Sequence, residues 1–149
     1  MNVEEIRKVV EKLNWRLPDE VQQDAYDVLL KADIDDTSLF IQSDMKYTWY
    51  NAVKLLSEIG YPKNKAALPR LIWLLSDVNW PGALEAIEIL KNIDQAELIP
   101  LIRQALEAAN DEKDTMWIGG IKQLIVEAKL QEILFSDESV SFILELADF

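Results

Sequence analysis

The sequence has no cysteine and no histidine. Without Cys there is no disulfide, no thiolate nucleophile and no Cys-based zinc site. Without His, the Ser-His and Cys-His triads, imidazole general bases and His-held metals are excluded as well. No apolar run approaches the ~20 residues of a membrane-spanning helix, so no membrane partner is expected. The opening "MNVEEIRKVVEKLNWRLPDE" is charged throughout and lacks an apolar core segment, which predicts no signal peptide. The expected location is cytoplasmic.

Basic residues are also scarce. Fifteen Lys and Arg stand against 27 Asp and Glu, the net charge is −12, and no basic residue follows Lys129. A chain with this balance repels phosphate backbones at long range. The Lys and Arg are scattered, with no evident basic patch, so nucleic acid is not an expected partner. The charge suits solubility and a monomer, and it suits a basic protein partner.

What remains is helical. At 149 residues the chain suits one domain. A chain of this size buries roughly 68–70% of its unfolded surface and folds without a metal or disulfide. Apolar residues recur at helical spacing nearly everywhere, and strand alternation is scarce. The first helix is expected over "VEEIRKVVEKL", with Ile6, Val9, Val10 and Leu13 on one stripe and Asn2 and Glu5 as its cap pair. A second is expected over "LPDEVQQDAYDVLLKA", and a helical turn near Leu39 to Gln42. Further helices are expected over 44–59, 64–76, 80–93, 95–109, 113–128 and 137–147. Gly60 and Pro62 end the first of these, and Ser136 or Asp137 caps the last. Short connections make neighbouring helices antiparallel.

A register recurs every 34 residues. Small residues align at Ala52, Ala86 and Gly120, branched ones at Val53, Ile87 and Ile121, and Leu at 56, 90 and 124. Lys54, Glu88 and Lys122 share one polar column. A period in this range, built from helix pairs, is the signature of an α-solenoid. The segments "ALPRLIWLLSD" and "LIPLIRQALEAAND" supply the preceding helices, each with an early Pro.

The string "LPRLIWLLSDVNWPGA" resembles the Trp-Leu-x-Asp-x-Asn-Trp-Pro-x-Ala signature of a small bacterial family of HEAT-like proteins with no assigned function. The match runs through Trp73, Leu74, Asp77, Asn79, Trp80, Pro81 and Ala83. It implies a fold and no activity. The expected fold class is all-α: a short HEAT-like right-handed α-solenoid of antiparallel helix pairs. A single domain, 1–149, would have an N-terminal cap (1–43), helical repeats (44–128) and a C-terminal cap (129–149).

Two sites stand out. The corner Asp77, Asn79, Trp80, Pro81 would restart a helix, with Asn79 as its cap. Trp80 is there either a structural wedge or a partner anchor. Gly82, one turn in, would admit a neighbouring helix. The second site is the solvent face of the second helices: Tyr47, Tyr50, Asn51, Lys54, Glu58, then Glu85, Glu88, Asn92, then Lys122 and Gln123. Two Tyr on a mixed polar ridge suit a protein or peptide. The five Trp (15, 49, 73, 80 and 117) are expected in the core.

Clustered acids at "DIDD" (33–36) and "DEKD" (111–114) lie in loops and are expected to cap helices or face water. No catalytic, cofactor or metal residues are assigned; weak divalent-cation binding at those loops stays open. The leading expectation is a non-catalytic protein-interaction module. One alternative is an immunity protein that neutralises a basic toxin through its acidic surface. Another is a carboxylate-based enzyme or small-ligand binder, which requires two inward-facing acids in a pocket.

Overall fold

The computed structural model describes residues 1–147, and all regular structure among them is helical. The chain forms two compact units, Met1–Arg70 and Leu71–Phe149.

In the N-terminal unit, helix α1 (Val3–Glu11) starts as its sequence predicts. The Asn2 side-chain oxygen accepts from the Glu5 N–H at 2.8 Å, and its amide donates to the Glu5 carboxylate at 3.0 Å. Ile6, Val10 and Leu13 are buried. Helix α2 (Asp19–Lys31) places two acids in its first turn, where exposed N–H groups favour them. Asp36, from the acidic loop, accepts from Ser38 N and begins a 3₁₀ turn, Thr37–Phe40. The helical turn thus comes two residues earlier than the apolar pattern suggests. Phe40 is fully buried.

The segment expected as one helix from 44 divides. A 3₁₀ turn, Lys46–Thr48, precedes helix α3 (Trp49–Ile59). Thr48 donates its hydroxyl back to the Met45 carbonyl at 2.7 Å, a local bond that competes with a regular helix start. Gly60 ends α3 as expected. Inside this unit α1 packs on α2 and on Thr37–Phe40, and α2 packs on α3.

The next segment also divides: a 3₁₀ turn Lys65–Ala67, helix α4 (Leu68–Trp73), then a 3₁₀ turn Leu74–Ser76. The unit boundary falls within α4.

In the C-terminal unit the corner corrects the sequence reading. Helix α5 runs Ala83–Leu90, and its N-cap is Gly82, not Asn79. Gly82 has φ +86°, a left-handed conformation that only Gly adopts cheaply. This conformation gives Gly82 a role in the backbone turn that starts the helix. Asp77 accepts from Asn79 N at 2.8 Å, and Trp80 N donates to Asp77 O at 2.9 Å. These turns hold Trp80 and Pro81 outside the helix. Trp80 is half-buried, with its ring centroid 5.4 Å from that of Trp73.

Helix α6 (Gln95–Asp111) begins earlier than a start at its proline would require, so Pro100 lies inside the helix and not in its first turn. Asp114 caps helix α7 (Thr115–Glu127), its side chain accepting from Trp117 N at 3.0 Å. Both acidic loops thus supply caps. Helix α7 packs on α6, α5 and Leu74–Ser76. Its residues 117–121 are all buried, and its polar residues Lys122, Gln123 and Glu127 follow in the second half of the helix. A short helix, α8 (Gln131–Leu134), and helix α9 (Glu138–Leu144) also pack on it.

The recurring register is matched by burial. Ala52, Val53 and Leu56 are buried in one unit; Ala86, Ile87, Leu90, Gly120, Ile121 and Leu124 are buried in the other.

Asp137 caps α9 through Ser139 and also pairs with Arg103 of α6. The Arg103 guanidinium, and then Ser139, hold its carboxyl at about 2, below the ordinary 3.8. A carboxylate depressed in this way stabilises the fold above its unfolded value and loses that contribution as pH falls through its folded value. Helix α9 is therefore expected to loosen from its neighbours between about pH 4 and about pH 2. Asp137→Asn keeps a capping side chain but removes the titration, so its acid transition should be flatter. NMR of the α9 amides against pH checks both.

Candidate protein-binding surfaces

Helix α3 carries four of the predicted surface residues, and Tyr47 lies on the turn before it. Tyr47 and Tyr50 are 41% and 40% exposed, as a contact role requires. Lys54, one helical turn from Tyr50, sets its ammonium 5.7 Å from that ring centroid. Asn51 is less available than expected. Its amide donates to the Leu13 carbonyl at 2.7 Å and to Gln22 at 2.9 Å, so it ties α3 to α2 and the preceding loop. Asn51, Lys54 and Glu58 line an open groove of about 500 Å³ with Gln22 and Tyr26 of α2. Burial, and then the Glu58 carboxylate, push the Tyr26 hydroxyl above its usual range.

The remaining predicted residues belong to the C-terminal unit. Glu88 pairs with Lys91 at 2.9 Å, and Asn92 donates to the Glu88 carbonyl at 2.8 Å. Both are occupied in finishing α5. Glu85 is half-buried on the same helix. Lys122 is half-buried and lines a small groove of about 190 Å³ with Phe135 and Leu144. Gln123 donates to Glu127 at 3.1 Å.

Sequence reasoning missed a cluster beside Tyr47. Trp15, expected in the core, is 46% exposed. Its backbone N–H donates to Tyr47 O at 3.1 Å, and its ring meets Tyr47 edge-on at 5.8 Å. The Arg16 guanidinium lies 4.0 Å from the Tyr47 ring centroid. The distribution of basic residues also needs correction. Lys8 and Lys12 line a groove with Tyr47, so the cations are locally gathered and not merely scattered. The four-residue spacing of positions 8, 12 and 16 was a legible signal; that Tyr47 joins them was not.

The other Trp follow the core expectation to different degrees. Trp49 and Trp117 are buried, their indoles donating to Gln42 O at 2.7 Å and Ile72 O at 3.0 Å. Trp73 is half-buried, like Trp80.

Among the described residues the acids show no inward pair. The buried polar side chains among the described residues are Thr37, Thr48 and Asn64. Asp33 faces Lys63 at 3.7 Å at the mouth of an open cavity of about 360 Å³. Among the described residues no three acids gather as a metal site, and no helix is long and apolar enough to cross a membrane. Charge divides unequally: residues 1–70 hold ten Lys or Arg and twelve acids, whereas 71–149 hold five and fifteen. The chain matches no family model, no curated protein and no solved structure.

Proposed function

We propose that the chain is a non-catalytic protein-interaction module, monomeric on its own, whose helix pairs are of HEAT-like type. The observation that carries this reading is the exposed aromatic and cationic surface around Tyr47 and Tyr50. Tyr, Trp and Arg are the residues most enriched where interfaces concentrate binding energy. Here Trp15 and Arg16 both lie against the exposed Tyr47 ring, and the exposed Tyr50 ring has Lys54 beside it, so the rings are already ordered by neighbours. Pre-ordered side chains lose less entropy on binding. The buried register of small residues supports the HEAT-like reading.

A second reading rests on the charge division. The fifteen acids and five bases of residues 71–149 favour a basic partner, as an immunity protein for a basic toxin requires. The carboxylate-enzyme reading gains nothing comparable, since it needs paired inward acids.

Affinity capture from the source cell, followed by calorimetry with the purified partner, tests the module. Tyr47→Ala with Tyr50→Ala should weaken that partner by about tenfold or more. A chain with no saturable protein partner would end this reading. Charge reversal confined to residues 71–149, abolishing binding while the Tyr variant binds normally, would select the second.

A further inference from the structure

Building on the interaction-module reading, we propose that the groove beside Tyr47 binds an acidic, aromatic-bearing peptide segment of another protein. The groove measures about 460 Å³ and combines two chemistries. Leu17, Met45 and the Tyr47 ring give it apolar surface, while Lys8 and Lys12 contribute ammonium groups. Arg16 covers the Tyr47 ring, and Lys46 adjoins Tyr47 in the chain.

Charge bookkeeping around this groove runs against the rest of the molecule. Asp44, which also lines it, is paired with Arg7 and held below the usual carboxylate range by that guanidinium. Lys8, Lys12, Arg16 and Lys46 form no ion pair among the described residues. Besides the paired Asp44, the groove is lined by one carboxylate, Glu11. A locally positive groove on a chain of net charge −12 selects a ligand with few charges placed close by. A peptide with two or three carboxylates meets that condition. A nucleic-acid strand brings a long run of phosphates, which the whole-chain charge repels. The apolar lining and the edge-on Trp15 and Tyr47 rings offer a seat for an aromatic side chain, which a free anion would leave empty.

The test is an NMR titration of the full chain with an acetylated peptide of alternating Glu and Phe. Backbone amides of Lys12 to Leu17 and Met45 to Thr48 should shift together. Lys12→Glu with Arg16→Glu should weaken binding roughly tenfold or more, because both exposed cations become repulsive. Lys31→Glu makes the same kind of charge change at the exposed end of α2, away from the groove. It should leave affinity within about twofold, as screening over that distance predicts. A peptide with Lys in place of Glu should not bind.

Absence of localised shifts up to millimolar peptide would overturn the proposal. So would tighter binding of oligothymidylate to the same residues. A dimer seen in sedimentation and abolished by Arg16→Glu would assign the groove to a second copy and overturn it equally. Because the titration reads the groove alone, a captured partner that binds normally while the peptide does not would sink this proposal and spare the module.

Discussion

Gly120→Ala is expected to destabilise the C-terminal unit by about 3 kcal/mol or more, lowering its melting temperature by roughly 12–24 °C. Two effects oppose each other at this position. Gly in a helix interior normally costs roughly 1 kcal/mol relative to Ala, so propensity alone predicts that the substitution stabilises α7. Packing predicts the reverse. A methyl built on Gly120 would lie 2.0 Å from the Leu75 carbonyl oxygen, 2.9 Å from its carbon and 3.0 Å from its Cβ. The nearest of these is backbone and cannot rotate aside. The 3₁₀ turn Leu74–Ser76 and α7 would have to separate, loosening Leu74, Leu75 and Ile121, all fully buried. Separation wins because the overlap exceeds what a core relaxes at small cost. Thermal unfolding with hydrogen exchange resolved by residue checks the sign; a stabilised variant would refute the close approach.

Trp117→Ala should cost about 3–5 kcal/mol, the range for removing a large buried aromatic side chain. Trp117 is 8% exposed, and its indole donates to the Ile72 carbonyl at 3.0 Å in a buried bond. Two contributions are therefore lost: apolar contact, and the donor that serves α4 near its end. Trp117→Phe separates them. It keeps most of the apolar body and removes only the donor, so about 1–3 kcal/mol is expected. Denaturant unfolding of the three proteins should rank wild type, Phe and Ala in falling stability. A Phe variant as unstable as Ala would assign the cost to the hydrogen bond; one equal to wild type would make that bond irrelevant.

These two positions also show how far local pattern reaches. The 34-residue register placed Gly120 in a column with Ala52 and Ala86, and all three are buried. It did not say why this member lacks even a methyl, because the cause is the carbonyl of Leu75, distant in sequence. The caps were legible for the opposite reason. Asn2 and Asp137 each accept from an N–H two or three residues ahead, as does Asp114, one of the loop acids expected to cap a helix or face water. Such bonds need only the local chain, so side-chain type and position suffice to name them.

The corner before α5 was misread for lack of one dihedral. Asn79 is a good cap by residue type, and Pro81 would suit a first turn. Gly82 at φ +86° instead closes the turn, and the helix starts after it. The candidate surface was half legible. Tyr47, Tyr50 and Lys54 are exposed as their helical spacing predicts. Trp15 was assigned to the core by residue type, yet it sits among Asn14, Arg16 and Pro18 in a connection between helices, where no periodic face exists to bury it.

Sequence alone determined the helical class, the starts of α1 and α6, the buried register and the exclusion of thiol and imidazole chemistry. Each depends on residue identity or on bonds spanning a few positions. Tertiary structure decided where α5 begins, which Trp meet water, why Gly120 is Gly, and that Lys8, Lys12 and Arg16 gather beside Tyr47. Those outcomes depend on which distant surface a side chain meets, and no spacing rule within one helix contains that information.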